Sequence, residues 1–127
     1  MPKVLVMDND SDLLMLLRGA LSKVGYEVEC LTDGCPVVNN RIEIPDLFVI
    51  DKGLNIIDGI AICKYLKLKN ETSNIPIVMI SGEEFREKAL LTGADYFMTK
   101  PLKIKNLLQV IDSLLHNDYS MTRHCAK

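Results

Sequence analysis

Two short segments, Asp46–Ile50 (DLFVI) and Ile77–Ile80 (IVMI), offer almost no polar face to water. They are too short for helices and rich in β-branched residues, so each reads as a strand buried on both sides of a sheet. Lys3–Met7 (KVLVM) and Tyr96–Met98 are similar, while Tyr26–Leu31 (YEVECL) alternates apolar and polar like an outer, half-exposed strand. Segments of helical period separate these runs. Leu13, Leu14, Leu17, Leu21 and Val24 form one stripe, closed by Gly25 and capped by either Asp10 or Ser11. A short, weak helix is expected over Gly34–Ile42, with Pro36 near its first turn. A loop from Asp51 to Ile57 leads into a helix over Asp58–Leu68, and another helix covers Glu83–Leu91. Ile104, Leu107, Leu108, Ile111, Leu114 and Leu115 mark the last one. Parallel strands need crossover connections, so this alternation predicts a parallel sheet with helices on both faces.

At 127 residues and 14.3 kDa the chain fits one core. The expected fold class is α/β: a flavodoxin-like, doubly wound sheet of five parallel strands in order 2-1-3-4-5, with five helices in three α/β/α layers. The domain is expected over residues 1–118. Periodicity stops after about Asn117, which leaves 119–127 as a flexible tail. The net charge is −2 and the basic residues are dispersed, so direct nucleic-acid binding is not expected. Lys64, Lys67 and Lys69 read as the solvated face of one helix. No apolar run approaches the length of a membrane span. Cys30, Cys35, Cys63 and Cys125 form no CxxC pair, and the histidines, His116 and His124, both lie near the C-terminus, so no zinc ligand set emerges. Without a secretory leader, the cysteines read as reduced and the location as cytoplasmic.

In open parallel sheets, ligands bind beyond the C-terminal ends of the strands. The first strand exits into Asp8, the third into Asp51, the fourth into Ser81 and the fifth into Thr99-Lys100-Pro101. Two carboxylates, a hydroxyl and an ammonium are thereby expected to converge on one rim. Each has a blander reading when taken alone. Asp51 could cap a helix, Ser81 could be an ordinary loop residue, Lys100 could be solvent-exposed, and Phe97 could simply pack in the core. The weight comes from their company.

The ordered set Val6-Met7-Asp8-Asn9-Asp10, Val49-Ile50-Asp51, Asp58-Gly59, Met79-Ile80-Ser81-Gly82 and Gly93-Ala94-Asp95-Tyr96-Phe97-Met98-Thr99-Lys100-Pro101 resembles the receiver domain of two-component response regulators. The resemblance runs from about residue 3 to 116. It implies that Asp51 is a phosphoacceptor attacking the phosphorus of a phosphohistidine or a small acyl phosphate. It also implies a Mg²⁺ site made by Asp8, Asp51 and the backbone carbonyl of Gly53, which relieves repulsion between the carboxylates and the anionic donor. Lys100 would neutralise a phosphoryl oxygen, and Ser81 would donate a hydrogen bond to it and move toward it. Phe97 occupies the family's aromatic switch position, and the Lys100–Pro101 bond is expected to be cis.

The sequence departs from this pattern at Asn9, where the family usually has an acid that ligates the metal. An Asn oxygen can coordinate, but the site loses one formal charge, so weaker Mg²⁺ binding is expected. Asp10, as the next residue, should point elsewhere. Asn55 stands where a proline is common and Gly82 where an alanine is usual; both should loosen the backbone. Gly53 and Glu83 lie two residues beyond site residues, where the family tunes dephosphorylation.

Two function classes follow. The first is a phosphorylation-controlled binding module, not a turnover enzyme, loaded by a histidine kinase or phosphotransfer protein. The resemblance places its output surface over the fourth helix, fifth strand and fifth helix, roughly Glu83–Leu115, read by a protein partner, with the chain a monomer or weak homodimer. The second is a pseudo-receiver that binds proteins without phosphate. Asn9 supports it, whereas Asp51, Ser81 and Lys100 speak against it. An unrelated enzyme on the same fold is a distant third.

Overall fold

The structure, a computed structural model, describes residues 1–116; the expected tail over 119–127, with His124 and Cys125, lies outside the described residues. The elements run β1 (Lys3–Met7), α1 (Ser11–Lys23), β2 (Glu27–Leu31), α2 (Cys35–Val38), β3 (Leu47–Asp51), α3 (Gly59–Leu68), β4 (Ile77–Ser81), α4 (Arg86–Thr92), β5 (Tyr96–Thr99) and α5 (Ile104–Leu115). All strand pairs are parallel and the order is β2-β1-β3-β4-β5, as the sequence predicts.

Side chains alternate across the sheet and divide the core into two layers. Leu5, Met7, Phe48, Ile50, Ile77, Met79 and Phe97 pack with Val37, Ile62, Leu66 and Ala89 of α2, α3 and α4. Val4, Val6, Leu47, Val49, Val78 and Ile80 face the other way, onto Leu14, Leu17, Leu21, Leu107, Ile111 and Leu114 of α1 and α5. Every residue of β3 and β4 is buried, which explains why their sequences carry no alternation. Strand β2, at the edge, keeps Glu27 exposed.

Element ends differ from the sequence reading where side chains intervene. Helix α2 covers only Cys35–Val38, not Gly34–Ile42. Asn40 adopts a φ of 56°, and Arg41 N–H donates to Pro36 carbonyl at 2.8 Å, a left-handed stop of the kind an Asn tolerates. Helix α4 starts at Arg86 rather than Glu83. The Glu83 amide donates to Ser81 Oγ at 3.0 Å and the Arg86 amide to Glu84 Oε1 at 2.9 Å, so side-chain-closed turns occupy the residues ahead of the helix. Strand β3 begins at Leu47, and the preceding Asp46 is tied to the start of β1; its Oδ2 accepts from Lys3 N–H at 2.7 Å. Of the two possible caps of α1, Asp10 is the one used, accepting from the amides of Asp12 and Leu13. Gly25, at a φ of 100°, closes the same helix.

Candidate functional site

The parallel register brings the predicted residues together at the C-terminal ends of β1, β3, β4 and β5. Asp51 ends β3 opposite Ile80, and Ser81 ends β4 opposite Thr99. The Lys100 amide donates to Ser81 carbonyl at 2.7 Å, so the basic residue is fixed by backbone to the strand that carries the hydroxyl. The Lys100–Pro101 peptide bond is cis, as expected.

Asp8 is fully buried, and Asp51 and Ser81 are nearly so. Lys100 Nζ lies 2.8 Å from Asp8 Oδ2 and 3.6 Å from Asp51 Oδ2. Asp8 Oδ1 accepts from the Asp10 amide at 2.9 Å, and Asp51 Oδ1 accepts from the Gly53 amide at 3.2 Å. Burial raises the Asp51 carboxyl above its ordinary range, and the charge of Asp8 adds to this against the Gly53 amide and Lys100. Burial pulls the Lys100 ammonium down, but its contacts with Asp8 and Asp51 outweigh that, and the net shift is upward. The pocket therefore sets the Lys100 ammonium against two carboxylates, of which Asp51 is raised chiefly by its burial.

Two facts bear on whether a divalent cation fits. Asp8 Oδ2 is buried and no hydrogen bond of acceptable direction reaches it, only the nearby charge of Lys100. That oxygen keeps unused acceptor capacity, which suits a hard cation. Among the described residues no group of three acidic, His or Cys side chains converges on one point. Mg²⁺ does not require one, because it keeps several waters and binds through one or two carboxylates. Asn9 is exposed beside the pocket, and Asp10 is committed to capping α1.

Other residues of the motif have clear structural work. Asp95 Oδ2 accepts from the Ile77 amide at 2.8 Å and from Lys67 Nζ at 3.2 Å, which ties β4 and α3 to the start of β5. Phe97 points into the core with its ring buried, and the Arg86 guanidinium lies 5.4 Å from that ring's centroid. The loop after Asp51 turns tightly at Ile56, whose φ is 69°, while Ile57 N–H donates to Asn55 carbonyl at 2.7 Å.

Sequence reasoning missed two participants. Gly59 stands where a Cβ would overlap the main-chain carbonyl of Asp51; the Asp58-Gly59 pair was a motif without a role, and only the tertiary approach explains it. Lys52 Nζ lies 4.1 Å from the centroid of the Phe85 ring and 3.5 Å from Asp58 Oδ2. No local pattern pairs residue 52 with residue 85.

Residues 4–112 match the family model described as the response regulator receiver domain. The chain is 33% identical over 119 residues to the phosphate regulon transcriptional regulatory protein PhoB of Rhizobium meliloti, covering 91% of this chain and 52% of that protein. It is 34% identical over 117 residues to the alkaline phosphatase synthesis transcriptional regulatory protein PhoP of Bacillus subtilis, covering 89% and 48%. The chain thus spans about half the length of these curated relatives. Among solved structures, it resembles the signal receiver domain of a signal transduction histidine kinase from Syntrophus aciditrophicus, with a TM-score of 0.84, 26% identity and 92% of each chain covered.

Proposed function

The chain belongs to the response regulator receiver domain family, and we propose that it accepts a phosphoryl group on Asp51 and alters its Glu83–Leu115 face in response. The observation that carries this reading is the Lys100 ammonium held between Asp8 Oδ2 and Asp51 Oδ2 at the ends of the strands. A carboxylate oxygen of Asp51 attacks the phosphorus of an N-phosphohistidine on a histidine kinase or phosphotransfer protein. The new P–O bond forms as the P–N bond breaks, and the imidazole leaves with the electron pair and takes up a proton. Lys100 neutralises charge on the transferred group. Ser81 Oγ accepts from the Glu83 amide, which keeps the hydroxyl proton for a phosphoryl oxygen. Phe97, on β5, stands at the family's aromatic switch position, with its ring already turned into the core.

The residues present fit Mg²⁺, which Asp8, Asp51 and the Gly53 carbonyl would hold, with the exposed Asn9 side-chain oxygen as the candidate for a further ligand. When bound, that ion offsets the negative charge of the carboxylates and of the incoming group. The free thiols of Cys30, Cys35 and Cys63 support a reducing, cytoplasmic location. Among the described residues no helix is long and apolar enough to cross a membrane. The output is a protein partner that reads the Glu83–Leu115 face. Intact acceptor geometry weighs against the pseudo-receiver reading, although Asn9 keeps it in view.

Beryllofluoride, which mimics a phosphoryl group on a carboxylate, tests this. Calorimetric titration in Mg²⁺ should give saturable one-to-one binding that disappears in Asp51→Ala. Binding that survives in the variant would remove Asp51 from the role assigned to it.

A further inference from the structure

Two cation–π contacts meet at neighbouring residues where the β4–α4 loop enters α4. Lys52 Nζ lies 4.1 Å from the centroid of the Phe85 ring, and the Arg86 guanidinium lies 5.4 Å from that of Phe97. Lys52 directly follows Asp51, and Asp58 Oδ2 holds the same ammonium from the start of α3 at 3.5 Å. Phe85 is partly buried against the core layer under α3 and α4. Its ring therefore has apolar packing behind it and a cation in front. The Lys52 side chain spans the gap between the two loops that flank the acceptor pocket.

We propose that the Lys52–Phe85 contact is a clasp that holds the β4–α4 loop back before phosphorylation, so that both are positioning residues for Ser81. The inference rests on Asp51 being the phosphoacceptor. Ser81 Oγ accepts from the Glu83 amide at 3.0 Å. The hydroxyl therefore cannot shift toward a phosphoryl group on Asp51 without breaking that bond or drawing residues 82–85 along. Phe85 is where that loop is tethered. The Arg86 amide donates to Glu84 Oε1 at 2.9 Å, which makes residues 84–86 one tight turn, and Arg86 Nη1 reaches Phe97 carbonyl at 3.5 Å. A displacement of Phe85 is thus passed to Arg86 and to the backbone of the output face. The ring of Phe97 is already buried, which leaves the loop as the part with distance to travel.

The clasp opposes the state that binds a phosphoryl group, so releasing it tightens binding of a phosphoryl mimic. A partly exposed cation–π contact corresponds to about fivefold in an equilibrium. The test is a double-mutant cycle read by beryllofluoride titration at saturating Mg²⁺, on the full chain and on Phe85→Leu, Lys52→Met and the double variant. Phe85→Leu keeps apolar packing and leaves the lysine charge in place, and the cycle cancels the direct effect of deleting a cation near an anion site. We expect Phe85→Leu to bind about fivefold more tightly when Lys52 is present and to have no effect in the Lys52→Met background. An equal effect in both backgrounds, or weaker binding with Lys52 present, overturns the clasp. Phe85→Met repeats the arm should the leucine variant unfold. If the parent protein shows no binding that Asp51→Ala abolishes, the phosphoacceptor reading has itself failed and the clasp falls with it. If that binding is present and the cycle is flat, only the clasp has failed.

Discussion

The α-carbon of Gly59 packs so closely on the main-chain carbonyl of Asp51 that no side chain fits between them. A Cβ at 59 would collide with that carbonyl oxygen and crowd Lys52 Cα, while the Gly59 amide donates to Lys52 carbonyl at 2.9 Å. The start of α3 is thereby laid against the backbone of the candidate acceptor. Backbone cannot swing aside as the end of a flexible side chain can. Gly59→Ala should therefore cost about 2 kcal/mol through overpacking. The check is the urea midpoint at unchanged slope; an unaltered midpoint would show that the approach is looser than described.

Strain also sits at Ile56. A β-branched residue at a φ of 69° is a backbone outlier, and this side chain is 80% exposed, so little burial offsets it. Ile56→Asn should stabilise the fold by about 1 kcal/mol, because Asn enters the left-handed region far more readily. Thermal unfolding measures it. A lower melting temperature would mean that the isoleucine makes a contact that outweighs its strain.

Most of the fold was legible because it is written in periodicity. The apolar runs of β3 and β4 and the stripe of α5 each specify one answer. The exits Asp8, Asp51, Ser81 and Lys100 were legible because a parallel sheet delivers its strand ends to one rim. Boundaries were less so. At α2, the Asn39-Asn40 pair ends the helix four residues before the apolar pattern does, at Val38 rather than Ile42. At α4, turns closed by the Ser81 and Glu84 side chains occupy residues that helical spacing alone would assign to the first turn. Asp95 was visible as a motif residue, but its binding to Lys67 and to the Ile77 amide depends on three elements meeting. Gly59 was visible as part of a motif, but its approach to Asp51 was not, and the Lys52–Phe85 contact has no local signature at all.

Asp51 should carry a stability cost of its own. Its carboxyl is raised above the ordinary 3.8, chiefly by burial, so the folded chain holds that proton more tightly than the unfolded chain. Stability contributed by this group is therefore greatest below the unfolded value, falls as pH climbs through the range between the two, and stays low above it. Asp51→Asn should raise the melting temperature by a few degrees at pH 7, and the gain should fade as pH drops below the ordinary carboxylate range. Lys100 does not confuse the readout. Its raised ammonium contributes stability that is complete below its ordinary 10.5 and is lost only as pH passes the higher folded value. A gain that persists undiminished in acid would contradict the assignment.

On the proposed reading, Asn9 limits how strongly the pocket would hold a divalent cation. It is exposed beside Asp8, and the neighbouring Asp10 is committed to capping α1 and cannot replace the missing acid. Asn9→Asp should strengthen Mg²⁺ binding on the order of tenfold, the worth of one added charge at a partly solvated site. Titration followed by amide chemical shifts gives both affinities; equal values would sink the idea.

Whether Asp51 takes up a phosphoryl group is read by intact-mass spectrometry after incubation with acetyl phosphate. The expected result is a gain of one phosphoryl group that requires Mg²⁺ and is absent in Asp51→Ala. A folded protein that gains nothing with Mg²⁺ present from either acetyl phosphate or a phosphorylated histidine kinase, or a variant that gains as much as its parent, would contradict it.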